Sequence, residues 1–179
     1  YGIARECFPQ LADFKLESFL SYLRRAAFSP IRVEADESTY DLHIILRYEI
    51  EKGIICGDLA IDDIPAAWDE KFKKSFGLKV KDDARGCLQD IHWSMGGFGY
   101  FPTYTLGNLN ASHLVAAARS RAKIAADMDR ADFGSLLAFM RERIHQPGSL
   151  YPPKELIERA AGKPVSSKAH LTHLKSRYL

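Results

Sequence analysis

Apolar residues recur at three- and four-residue spacing along most of this chain, and almost nowhere at the alternating spacing of a strand. That periodicity constrains the fold most, because a helix repeats its buried face every 3.6 residues and a strand every two. Leu16, Phe19, Leu20, Leu23 and Ala27 share one face, which predicts a helix over about residues 13–27, stopped by Ser29-Pro30. Leu42, Ile45, Leu46 and Ile50 predict a second over about 36–52, with Gly53 and Gly57 at its end. Asp62-Asp63-Ile64-Pro65 reads as a helix start, Trp68, Phe72 and Phe76 as its inner face and Gly77 as its stop. Leu106, Leu109, His113 and Ala117 predict a helix over about 104–126. Phe133, Leu136, Leu137, Met140 and Ile144 form another stripe, broken by Pro147-Gly148. Pro152-Pro153 opens a helix to Ala161 that Gly162 caps, and a last one starts near Ser167 with Leu171, Leu174 and Tyr178 inward. The expectation is an all-α fold in a single helical domain over residues 1–179, with at most one small β-hairpin. Leu78-Lys79-Val80 is the weak strand candidate.

Composition narrows the function classes. A net charge of +2 sets up no strong field for nucleic acid or a membrane surface. Cys7, Cys56 and Cys87 are far apart and form no CxxC, which argues against a disulfide framework or a thiolate zinc site and for a reducing cytoplasm. No apolar run approaches the length of a membrane span, and no signal peptide is visible. The chain starts at Tyr1, as a processed product or a piece of something longer would.

Residues 78–103 break the helical pattern. Gly86, Gly96, Gly97, Gly99 and Pro102 alternate there with Trp93, Phe98, Tyr100 and Phe101. An irregular segment of this length inside a compact domain is commonly functional. It carries Gln89, Asp90, His92 and Trp93 within "GCLQDIHW". An Asp-x-His pair can tune an imidazole for proton transfer or for donation to an oxyanion, and it can equally be a satisfied piece of core. Upstream, Arg32 and Asp36 are four apart and could share a helix face. An arginine fork suits a carboxylate, an aspartate can orient a neighbouring histidine, and a solvated acidic helix start is the plainer alternative. In "GGFGYFPTY" the glycines let backbone approach a ligand and Tyr100 or Tyr104 can donate to an oxyanion; an aromatic plug between helices is the competing reading. His170 and His173 have chelating spacing but no third ligand nearby, and read as an incidental surface pair; His43, His113 and His145 stand alone. HExxH, GxSxG and GxxxxGK[ST] are all absent. The chain therefore offers accessory groups without a nucleophile or a metal cage, as half of a site would.

Two motifs in order carry a resemblance. "IRVEAD" fits IRxxAD and "GCLQDIHW" fits GxxQDxHW, and the intervening "DESTYDLHIILRYEIEKGIICGDLAIDDIPAAWDEKF" and following "GGFGYFPTYTLGNLNA" agree. From about Phe8 to Leu179 the chain resembles the thermostable carboxypeptidase 1 family, the family-32 zinc metallocarboxypeptidases. The resemblance implies the C-terminal part of a mostly helical, zincin-like enzyme, cytoplasmic and homodimeric, that releases C-terminal amino acids from peptides. It implies a zinc or cobalt ion held by HExxH and by the glutamate of HESQS, motifs that precede IRxxAD in the family and do not occur here. No residue of this chain is thereby assigned to metal. Arg32 becomes the clamp on the substrate carboxylate. Asp36, Asp90 and Gln89 become supports for their neighbours, and His92 with Tyr104, or else Tyr100, becomes the stabiliser of the oxyanion. The expectation is a chain that is inactive alone and that associates through apolar faces left open. The alternatives are a truncated, non-catalytic paralogue serving as a helical binding or oligomerisation module, and an enzyme with a different metal site built around His92.

Overall fold

The computed structural model describes residues 1–179 and contains helices and turns with no strand. The helices are α1 (Gly2–Cys7), α2 (Leu16–Leu23), α3 (Tyr40–Cys56), α4 (Ile64–Phe76), α5 (Pro102–Arg119), α6 (Ala122–Asp129), α7 (Gly134–Met140), α8 (Pro153–Ala161) and α9 (Lys168–Tyr178). None is long and apolar enough to cross a membrane.

The main core lies between α3, α4 and the irregular segment, where Leu46, Ile50, Trp68, Phe72, Phe76, Val80 and Cys87 pack together. Full burial of one such large side chain contributes about 1.5–3 kcal/mol. α4 forms as its local signals dictate: acids and Pro65 at the start, Trp68, Phe72 and Phe76 buried, and Gly77 in the left-handed region at φ +68. α5 is the central strut, packed on α3, α6, α8 and α9. Ala117, Ala118, Ile124 and Phe139 close a second cluster, and Leu114, Ile157 and Ala160 a third.

Several expectations need correction. Leu78-Lys79-Val80 is not a strand; Val80 simply drops into the core from an extended loop. The helix expected over 13–27 is confined to α2, Leu16–Leu23, and buries no residue, and none of the first 31 residues is buried. On α3, Leu42 and Ile45 face outward while His43, Ile44, Leu46, Arg47, Ile50 and Glu51 face in. The helix expected over 104–126 breaks at Ser120 and Arg121 into α5 and α6, with no proline or glycine to announce it. The stripe ending at Ile144 runs from α7 into a π turn, Arg141–His145, and leaves Phe133 exposed. On α9, Leu171 is half exposed and the buried residue is His170.

Candidate functional site

Two segments far apart in sequence are laced together by one side chain. The Gln89 carbonyl oxygen accepts from the Arg32 backbone N–H at 2.8 Å. Its amide nitrogen, with two hydrogens shared among three acceptors, lies 2.9 Å from the Pro30 carbonyl, 2.8 Å from that of Arg85 and 3.1 Å from that of Gly86. The short turn Arg32–Glu34 is thereby fixed against residues 85–90, and Arg32 is turned inward onto Asp90.

Asp90 sits between two buried arginines. Its Oδ1 accepts from Arg32 Nε at 3.1 Å and Nη2 at 2.7 Å, and its Oδ2 from Arg47 Nε at 2.7 Å. Arg47 Nη2 lies 2.6 Å from the same oxygen, and Nη1 donates to the His43 carbonyl at 2.8 Å. Burial opposes ionisation of Asp90, but hydrogen bonds and charge from the two arginines outweigh it and hold the carboxyl below the usual carboxylate range. Burial pulls Arg47 down to about 10 even with Asp90 beside it. Arg32 is raised: burial disfavours its charge, and Asp90 and Tyr40 more than compensate. The aromatic faces of Trp68 and Phe101 cover Arg47 at 4.6 and 5.2 Å, and Tyr104 lies 5.1 Å from the Arg32 guanidinium carbon.

Arg32 keeps part of its fork. Nη1 donates to the Tyr40 hydroxyl at 2.9 Å. Of the five N–H groups of a guanidinium, the three bonds to Asp90 and Tyr40 leave one on each Nη nitrogen. Beside it, His92 Nε2 and the Tyr104 hydroxyl are 3.1 Å apart. The His92 ring lies 4.3 Å from Phe101 and 5.5 Å from Tyr100, and its Nδ1 is buried without a partner. The turn that presents His92 needs glycine. The Gly97 N–H bonds the His92 carbonyl at 2.7 Å, and a Cβ on Gly97 would stand 3.0 Å from that oxygen. Trp93 is pinned differently: its Nε1 donates to Glu51 of α3 at 2.9 Å.

Arg32, Gln89, Asp90, His92 and Tyr104 therefore converge, with Tyr100 half exposed at their rim. Asp36 stands apart. Arg32 lies on a short turn and Asp36 beyond it, so the two share no helix face. The Asp36 carboxylate accepts from the backbone and hydroxyls of Ser38 and Thr39 and from the Ala27 N–H at 2.7 Å. Burial opposes its charge, and these donors hold it below the ordinary range. It ties the entry of α3 to residue 27. His170 and His173 do not form the surface pair expected: His170 is buried against Asp41 and Ser112, while His173 meets Glu37 at 2.6 Å. Arg47, Tyr40 and Glu51 escaped sequence reasoning. The available signal was their phase, since Arg47 and Glu51 repeat with Ile50 and His43 on the inner face of α3.

No three His, Cys, Asp or Glu side chains come together in a way that could hold a metal ion. The donors at this site are arginines, tyrosines and one imidazole, a set that suits anions and oxyanions rather than a metal ion.

The family model described as carboxypeptidase Taq (M32) metallopeptidase matches residues 1–178. Thermostable carboxypeptidase 1 of Thermus thermophilus is 42% identical over 98% of this chain and 34% of its own length. Carboxypeptidase 1 of Bacillus subtilis is 36% identical over 99% of this chain and 36% of its own. The crystal structure of the M32 carboxypeptidase from Deinococcus radiodurans superposes with a TM-score of 0.93 at 37% identity, covering 99% of this chain and 36% of that one. The chain thus spans about a third of the length of the curated relatives it matches. With the family model, the relatives and the fold in agreement, the chain belongs to the carboxypeptidase Taq (M32) metallopeptidase family.

Proposed function

We propose that this chain is the C-terminal part of a metallocarboxypeptidase and forms the wall that receives the free carboxylate of a peptide. The observation that carries this reading is the buried Arg32, held by Asp90 with one N–H left on each Nη, beside the His92–Tyr104 pair. Two such N–H groups match the two oxygens of a carboxylate. Where His92 Nε2 carries the proton and donates to Tyr104, the tyrosine keeps its own O–H for the oxyanion that forms as the last peptide bond is attacked. Tyr100 is the second candidate for that donation. The zinc or cobalt ion of this reading, and the base, belong to residues outside this chain, in a cytoplasmic enzyme.

The test compares an N-acetylated dipeptide with its C-terminal amide by NMR titration of the purified chain. The free acid is expected to shift the Arg32 and Tyr104 resonances and the amide to leave them, with binding weakened about tenfold in Arg32→Lys, because lysine lacks the fork. Equal shifts from acid and amide would remove the clamp from the reading. The chain alone is expected to release no amino acid from a blocked dipeptide with zinc or cobalt added; metal-dependent release would overturn its inactivity.

A second expectation concerns association. Leu42, Ile45, Tyr48 and Ile55 are exposed on α3, and Phe14, Tyr22, Leu23 and Phe28 near the N-terminus. Apolar surface of this kind drives association, so a homodimer or larger species is expected at micromolar concentration in sedimentation velocity. A monomer throughout that range would count against it.

A further inference from the structure

A second constellation, Ser112, His170 and Asp41, lies between α3, α5 and α9 and takes no part in the carboxylate wall. His170 of α9 is buried. Its Nε2 lies 2.8 Å from Asp41 Oδ2 on α3, and its Nδ1 lies 2.9 Å from Ser112 Oγ on α5. A carboxylate can only accept, so Nε2 carries a proton, and in the neutral imidazole Nδ1 is then a lone pair. In that form the Ser112 hydroxyl donates to Nδ1. Asp41 is itself fixed: its Oδ1 accepts from Thr105 Oγ1 at 2.7 Å and Asn108 Nδ2 at 3.1 Å.

Ser112, His170, Asn108 and Tyr40 line one cavity of about 340 Å³, large enough for a small acyl group. Asn108 precedes Ser112 by one helical turn on the same face. Its single bond to Asp41 leaves the other hydrogen of Nδ2 free to donate into that space. A nucleophile, a base, a carboxylate that orients the base and a candidate oxyanion donor are thus assembled around a cavity. The imidazole is used in the reverse sense to the familiar serine hydrolase triad, with Nδ1 rather than Nε2 facing the serine.

We propose that Ser112 is an activated serine and that this cavity hydrolyses small, uncharged acyl esters. Ser112 Oγ attacks the ester carbonyl carbon while its proton passes to His170 Nδ1. The carbon–alkoxide bond breaks, and the leaving alkoxide takes that proton and departs as the alcohol. Water then attacks the acyl-serine and gives a proton to Nδ1, the free acid departs, and the proton returns to Oγ. Asp41 stays ionised throughout and holds the imidazolium; the Asn108 amide donates to the tetrahedral oxyanion. Glu37 lines the cavity and no lysine or arginine does, so an anionic acyl group is disfavoured there.

The same hydrogen bonds tie three helices together, and a purely architectural relay would leave Ser112 unreactive. The experiment treats the purified chain with a biotinylated fluorophosphonate and maps the adduct by mass spectrometry, alongside hydrolysis of p-nitrophenyl acetate. An adduct on Ser112 is expected, absent in Ser112→Ala, together with ester hydrolysis that falls to the buffer rate in that variant. Asp41→Asn, which inverts the tautomer preference, is expected to slow labelling at least about tenfold while helical circular dichroism is kept. A folded wild-type chain with no adduct on Ser112 would overturn the proposal. So would an adduct rate unchanged in Asp41→Asn, or ester hydrolysis unchanged in Ser112→Ala.

Discussion

Asp90→Ala is expected to destabilise the chain by about 3–5 kcal/mol, the cost of leaving buried charge without its partner. Asp90 is 11% exposed, and the arginines it separates are 9% and 1% exposed at their side chains. Without the carboxylate, two guanidiniums would share one apolar pocket under Trp68 and Phe101 with no counter-charge. The comparison that isolates burial is Glu49→Ala. Its bridge to Lys71 at 2.7 Å is equally short, but the partners are 50% and 35% exposed, and less than about 1 kcal/mol is expected there. Urea denaturation of the three proteins at pH 7 reads both numbers. A cost for Asp90→Ala no larger than for Glu49→Ala would mean that the arginines find other partners. The pH dependence has a definite sign. The folded-state pKa of Asp90 is depressed, so its contribution is complete above the ordinary carboxylate pKa of about 4 and is lost as pH falls through the lower folded value.

The same cluster shows what was legible in the sequence. α4 could be read in full, since Pro65, the Trp68–Phe72–Phe76 face and Gly77 all act within one helix. α3 is legible as a helix, and Leu46 and Ile50 of its expected inner face are buried. Leu42 and Ile45 are exposed, and the inward face also carries His43, Arg47 and Glu51. Arg47 is drawn in by Asp90 and Glu51 by Trp93, each more than 40 residues away, and no local periodicity encodes such a partner. Arg32, Asp90 and His92 could be singled out because they lie in two short, chemically dense motifs. That Gln89 is the staple between those motifs, and that Asp36 belongs to a turn and not to the arginine, depends on contacts that only the folded chain makes. Ser112 and His170, 58 residues apart on different helices, gave no joint signal at all.

The second large effect arises beneath this cluster. His43 is fully buried, 4.6 Å from the Phe76 ring and 5.8 Å from Phe72, and neither ring nitrogen has a hydrogen-bond partner. Burial first, and then the Arg47 charge, lower its pKa to about 4; Arg32 adds to this, while the Ser29 backbone and Asp90 oppose it. In the unfolded chain the same imidazole titrates near 6.5, at its ordinary value. Between those two values the unfolded chain holds a proton that the folded chain refuses. Stability therefore rises with pH across that window and is lost as pH falls from about 6.5 to about 4. The span of about 2.5 pH units corresponds to a loss of about 3 kcal/mol, after which His43 contributes nothing further. Asp90 acts below that window, so the two groups separate on a pH series. His43→Leu removes the titration and replaces two unpaired polar atoms with apolar ones, a change that is close to neutral at pH 7. Urea denaturation of both proteins at pH 7, 5.5 and 4.5 is expected to show the wild type weakening steadily and His43→Leu weakening less, by an amount that grows toward low pH. The difference between the two curves cancels the other histidines. Parallel curves would mean that the folded chain takes up the proton as readily as the unfolded one, and that the pocket under Arg47 is open to water.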